Sequence, residues 1–116
     1  MVHGNLFAGL PVAAERELVD VLVERPGVRI ERIVSTGQAS PPGFWYDQPY
    51  AEWVIVLEGA ADLLIEGEAA PRRLGPGDFV ELQPRVRHRV EWTATERPTV
   101  WLAVHWKGRG EQDVGP

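Results

Sequence analysis

Glu52 and His88 are the residues of this chain best suited to chemistry, a carboxylate and an imidazole each set among apolar residues. Each stands in a run of alternating residues. In extended chain Glu52, Val54 and Val56 share one face, and His88, Val90 and Trp92 share a face of another segment. If both faces line one interior, the acid and the imidazole converge among aliphatic and aromatic walls, the usual form of a small-molecule site. Tyr46 and Gln48, also two residues apart, then enter the same space. Glutamine offers a donor and an acceptor, and tyrosine a donor on a rigid ring, which suits a polar ligand. The plain structural alternative is a buried carboxylate–imidazole pair, with Tyr46 packed beside Phe44 and Trp45 in an aromatic cluster.

Further polar residues have weaker claims. Asp47 points away from Gln48 on a regular strand and reads as surface, unless a loop turns it toward Glu52. His105 interrupts the apolar run 100–106 and shares parity with Trp101, so it is a pocket candidate as well as a candidate core histidine. Arg87 and Arg89 take outward parity if His88 faces in, Arg85 falls in a turn, and His3 is expected in solvent.

These residues need elements to position them. Residues 13–24 begin with good helix formers, place apolar residues at 18, 21 and 22, and meet Arg25-Pro26-Gly27, which predicts a helix within an appendage of about 12–25. Beyond it the period becomes two. Val28, Ile30 and Ile33 mark a strand, 35–43 is a Ser-, Pro- and Gly-rich loop, and strands follow at 51–58, 60–66, 72–74, 78–82, 88–93 and 99–106. Short strands with frequent turns predict an all-β sandwich or closed barrel. The polar, Gly-rich tail 107–116 is expected to fray.

Trp53-Val54-Ile55-Val56-Leu57 is apolar at every position, and 100–106 is nearly so, which predicts burial on both faces. One face of such a wall is the core. The other needs cover from the N-terminal helix or from a second copy of the chain, so a homodimer is expected.

Size and charge narrow the class. With 116 residues and 44% hydrophobic content the chain suits one domain, 1–116, with a barrel over about 28–106. A formal charge of −5 offers no basic footprint for nucleic acid. The absence of cysteine removes disulfides, thiolate metal sites and cysteine nucleophiles. The first residues lack a secretory pattern, and no uncharged apolar run approaches the roughly 18 residues of a membrane span, so a cytoplasmic location is expected.

Two segments together resemble the paired motifs of the cupin family, specifically small RmlC-like single-domain barrels. The first motif of that family has two histidines one residue apart, a glutamate four positions on and a glycine seven after that. Here Glu52 and Gly59 match, Pro49 follows the second histidine position, and the histidines are replaced by Tyr46 and Gln48. The second motif is matched by Gly77-Asp78 and His88; its Pro-x-Gly step falls on Gln83-Pro84-Arg85 and its asparagine on Trp92.

The resemblance implies a jelly-roll β-barrel. It also implies a divalent metal (iron, manganese, nickel, zinc or copper) on Glu52 and His88, with Gln48 as a third, neutral oxygen ligand. Tyr46, Gln48, Val54, Trp92 and His105 would then line a pocket for a small-molecule ligand. Three functions follow. The chain is a metal-dependent enzyme on a small polar metabolite, a non-catalytic binding or sensing module, or a metal-free acid–base enzyme like the sugar epimerases, with His88 as base and Tyr46 as acid.

Overall fold

The computed structural model describes residues 1–107, so the tail beyond Lys107 that was expected to fray lies outside the described residues. Eight strands run in chain order: β1 (Leu18–Arg25), β2 (Val28–Ser35), β3 (Ala51–Glu58), β4 (Ala61–Ile65), β5 (Arg72–Leu74), β6 (Phe79–Leu82), β7 (His88–Thr93) and β8 (Thr99–Trp106). They form a five-stranded sheet, ordered β1-β2-β8-β3-β6, and a three-stranded sheet, ordered β5-β4-β7, with every pairing antiparallel.

The helix expected over 13–24 does not form, and its second half is β1. Val19, Val21 and Val23 are β-branched and prefer extended chain, where their side chains have room. Pro26-Gly27 does not stop a helix but turns a hairpin. Gly27 takes φ +81°, Arg25 pairs with Val28, and the pairing continues to Leu18 opposite Val34. The strand also satisfies the outer edge of β2, which would otherwise be left with unpaired backbone groups.

The core lies between the sheets. Val54 and Val56 of β3, Trp101 and Ala103 of β8, Ala61 and Leu63 of β4 and Leu74 of β5 form one buried cluster, joined by Ile33, Val80 and Val90. Burying each Val or Leu side chain fully is worth roughly 1.5–3 kcal/mol. Gly59 turns the chain from β3 toward β4 at φ +85°, so close to β8 that a Cβ there would sit 2.5 Å from Thr99 Oγ1.

The opposite face of the large sheet is also apolar. Trp53, Ile55, Leu102 and Val104 are half-buried there, and Phe79, 5.5 Å from the Trp53 ring, is 62% exposed. Part of this side is crossed by the N-terminal segment, tied down where Arg32 Nη1 donates to the carbonyls of Leu6 and Ala8. No helix among the described residues is long and apolar enough to cross a membrane.

Candidate functional site

A cavity of about 290 Å³ opens between the sheets, and the strand register decides what faces it. Across the large sheet Arg29 of β2 stands opposite His105 of β8, which stands opposite Glu52 of β3. All three are buried and line the cavity, with relative exposures of 7%, 3% and 8%. The next inward row is Glu31, Ala103 and Val54, and the next is Ile33, Trp101 and Val56. Polar rows thus give way to an apolar floor, because period-two alternation carries every second residue of each strand to the same face.

The small sheet supplies the opposite wall. His88, the first residue of β7, places Nε2 3.5 Å from Glu52 Oε1. Its Nδ1 lies 3.0 Å from the carbonyl oxygen of Val86. A carbonyl only accepts, so Nδ1 carries a hydrogen, and Nε2 is left to face the cavity beside the carboxylate. Tyr46 is held against this histidine by paired backbone bonds, Tyr46 N–H to the His88 carbonyl at 2.7 Å and the reverse at 3.2 Å. Their rings stack at 5.2 Å, and Phe44 abuts Tyr46 edge-on at 4.9 Å. Gln48 also lines the cavity, its backbone carbonyl accepting from Arg85 N–H at 2.7 Å.

A second carboxylate–imidazole pair faces the same space. Glu31 Oε1 is 3.0 Å from His105 Nε2, and Glu31 Oε2 is 3.0 Å from Arg29 Nε. The His105 hydrogen bond, followed by the His105 and Arg29 charges, lowers the Glu31 pKa against an opposing desolvation. Tyr50 packs edge-on against His105 at 5.5 Å. Near the mouth Glu17 accepts from Ser35 Oγ at 2.6 Å, and Ser35 accepts from Trp101 Nε1 at 3.1 Å. Burial raises the Glu17 pKa, partly offset by the serine. Burial also raises the Tyr46 pKa, helped by the negative charges of Glu17, Glu52 and Glu31, so the phenol stays a neutral donor.

Glu52, His88, Gln48, Tyr46, Val54 and His105 are therefore brought together as the sequence suggested. Trp92 is not. The register of β7 on β4 jumps from Asp62↔Trp92 to Leu63↔Val90, so Glu91 is bulged out and parity inverts. Trp92 consequently lies opposite Asp62 and carries the Arg73 guanidinium 4.4 Å above its ring, away from the cavity. Asp47 is exposed and paired with Arg85 at 3.4 Å, and His3 is exposed. Arg87 pairs with Glu66, while Arg89 holds the carbonyls of Ser40, Pro41 and Phe44.

Sequence reasoning missed Glu17, Arg29 and Glu31. The last two had a signal, since they stand at opposite parity to Val28 and Ile30 and at the same parity as Ile33.

The donor set does not fit the resident divalent metal that the motif resemblance implies. Glu52 and His88 are two conventional ligands, Gln48 adds a neutral amide, and His105 and Glu31 are bonded to each other. Among the described residues no three His, Cys, Asp or Glu side chains converge as a metal site, whereas ligation normally takes three or four donors.

Comparison with known proteins places this geometry. Residues 32–105 match the model of the cupin domain family. A crystal structure from Ralstonia eutropha JMP134, provisionally described as a mannose-6-phosphate isomerase, is 56% identical. It aligns over 91% of this chain and 98% of its own, with a TM-score of 0.90. An RmlC-like cupin with a double-stranded β-helix fold from Methanocaldococcus jannaschii aligns over 81% of this chain and 83% of its own at 20% identity and TM-score 0.65. A cupin superfamily protein from Desulfitobacterium hafniense DCB-2 aligns over 83% and 82% at 13% identity and TM-score 0.69. No curated protein matches.

Proposed function

The chain belongs to the cupin family, and from that premise we propose that its jelly-roll cavity binds a small sugar-like metabolite and isomerises it by acid–base chemistry. The observation that carries the reading is the His88–Glu52 pair. Val86 fixes the tautomer, and Nε2 stands 3.5 Å from a carboxylate inside a cavity of ligand size. The 56% identical protein described as a mannose-6-phosphate isomerase supports a sugar as the substrate class.

The chemistry balances without a cofactor. A base of the pair takes the proton from the carbon next to the carbonyl. The electrons of that C–H bond form a C=C bond, the C=O electrons move to oxygen, and the oxygen accepts a proton, giving an enediol. Reprotonation on the former carbonyl carbon, while the hydroxyl on the deprotonated carbon gives up its proton and its electrons form the new C=O, moves the carbonyl by one position. Glu52 and His88 hold and return the proton, and the neutral Tyr46 hydroxyl is the donor toward oxygen.

Mannose and mannose 6-phosphate incubated with the protein in D₂O give the test. Deuterium entering C2, followed by ketose signals in the NMR spectrum, supports the reading. Binding without exchange would leave a ligand-binding module instead.

The alternative is a weakly held metal on Glu52, His88 and Gln48: the set lacks a third conventional ligand, but a carbonyl anchor on Nδ1 is the arrangement that aims Nε2 of a ligating histidine. Elemental analysis of untagged protein decides, since stoichiometric metal that disappears in Glu52→Ala would sustain that alternative.

The reading includes a homodimer. The expected covering helix does not exist, and the apolar face bearing Trp53, Ile55 and Phe79 is the surface a second copy would cover.

A further inference from the structure

We infer that the cavity selects a neutral, hydroxyl-rich ligand, a free sugar or similar polyol, and discriminates against its phosphate ester. The inference rests on the reading of this cavity as a sugar site and adds the charge class of the ligand.

Charge is the first ground. Glu17, Glu31 and Glu52 line the cavity, while Arg29 is its one lining Lys or Arg among the described residues and lies 3.0 Å from Glu31. The nearby cations are committed outside it: Arg85 to Asp47, Arg87 to Glu66 and Arg32 to Asp20. The three carboxylates already act together at Tyr46, where their negative charges help hold the proton on the phenol. A phosphate dianion entering this space meets the same charges in a partly desolvated setting, where screening is weak.

Hydrogen-bonding capacity is the second, independent ground. His105 is 3% exposed, and its Nε2 is bonded to the Glu31 carboxylate, which can only accept. Its Nδ1 is buried with no hydrogen-bond partner, a place that a ligand hydroxyl, able to donate or to accept, can fill. The Glu52 carboxylate, facing His88 Nε2 at 3.5 Å, adds acceptor lone pairs. The Trp101 N–H, by contrast, is already given to Ser35. The cavity presents three carboxylates and a buried imidazole nitrogen without a partner, and suits a ligand whose groups both donate and accept. Sugar hydroxyls do so. A fully ionised phosphate group brings acceptors only where the free sugar's 6-hydroxyl would donate, and leaving a buried acceptor unsatisfied there is costly.

Calorimetric titration with mannose and with mannose 6-phosphate tests this, with hexose exchange in D₂O followed separately. Mannose is expected to bind at least roughly tenfold tighter. In Glu31→Gln, which removes one negative charge beside Arg29, affinity for mannose 6-phosphate should rise relative to mannose; Glu17→Gln serves the same purpose if Glu31→Gln does not fold. Equal or tighter binding of the phosphate ester, no binding of either, or an unchanged ratio in the variants overturns the inference. Mannose binding without exchange would sustain it while sinking the isomerase reading. Preferential turnover of mannose 6-phosphate would sink the inference and leave the isomerase reading standing.

Discussion

Glu52 and His105 are direct cross-strand neighbours on β3 and β8, and each is engaged by a different partner, Glu52 by His88 and His105 by Glu31. Two acid–imidazole pairs thus face one cavity, three of their residues on strands of the large sheet and the fourth, His88, across from them at the start of β7. They are not equivalent. The His105–Glu31 pair is a closed hydrogen bond with Arg29 behind it, whereas His88 and Glu52 stand 3.5 Å apart with Nε2 facing the cavity.

On the proposed isomerase reading the open pair is the reacting one. His88→Gln and Glu52→Gln should each lower the rate of C2 deuterium exchange by about 10²–10⁴-fold while the circular dichroism spectrum stays that of the wild type. Exchange at wild-type rate in both variants would move the chemistry elsewhere.

Tyr46 gives a pH test. Its pKa lies above the ordinary value of 10, through burial first and the carboxylates of Glu17, Glu52 and Glu31 second. The unfolded chain then loses this proton before the folded one. Stability from Tyr46 is present below pH 10 and declines as pH rises toward the folded pKa. Tyr46→Phe should flatten that decline in urea melts, and should slow exchange at neutral pH by removing the donor.

Glu17 acts in the acidic range with a definite sign. Burial raises its folded pKa above 4.5, so its contribution falls as pH rises from 4.5 through the folded pKa. Glu17→Gln should accordingly raise the melting temperature at pH 7 relative to wild type and leave it nearly unchanged at pH 4. An equal change at both values would assign the effect to packing.

Gly59→Ala should destabilise the protein by on the order of 3 kcal/mol. The backbone sits at φ +85°, and the added Cβ would meet Thr99 Oγ1 at 2.5 Å and the Pro98 carbonyl oxygen at 2.7 Å, contacts the paired strands cannot relieve. Gly67→Ala, also at positive φ but with open space around it, should cost less in the same melt.

The outer face gives a prediction about assembly. Light scattering should report twice the 12.9 kDa chain mass, and Phe79→Glu should shift the protein toward the monomer. A wild-type monomer would mean that this face is tolerated in water.

The eight-strand barrel was largely written in local residues. Gly59, Gly67 and Gly77 mark turns at positive φ, and alternation in 51–58, 88–93 and 99–106 states which side chains share a face, so Glu52, His88 and His105 could be nominated before any fold was known. Residues 13–24 misled because helix formers precede the valines, and only the hairpin at Pro26-Gly27 and the free edge of β2 select the extended form. Trp92 misled for another reason: one bulged residue, Glu91, inverts parity, and nothing local announces it.

The sequence by itself thus determined the kind of fold and half of the site, since period, turns and motif spacing are properties of neighbouring residues. The register between distant strands was decided only by tertiary structure. It set Arg29 beside His105 and His105 beside Glu52, brought His88 across from the other sheet, and drew Glu17 and Glu31 into the same space. Cross-strand partners are separated by tens of residues in the chain, so the charge and hydrogen-bonding balance of the cavity exists only once the sheets have closed.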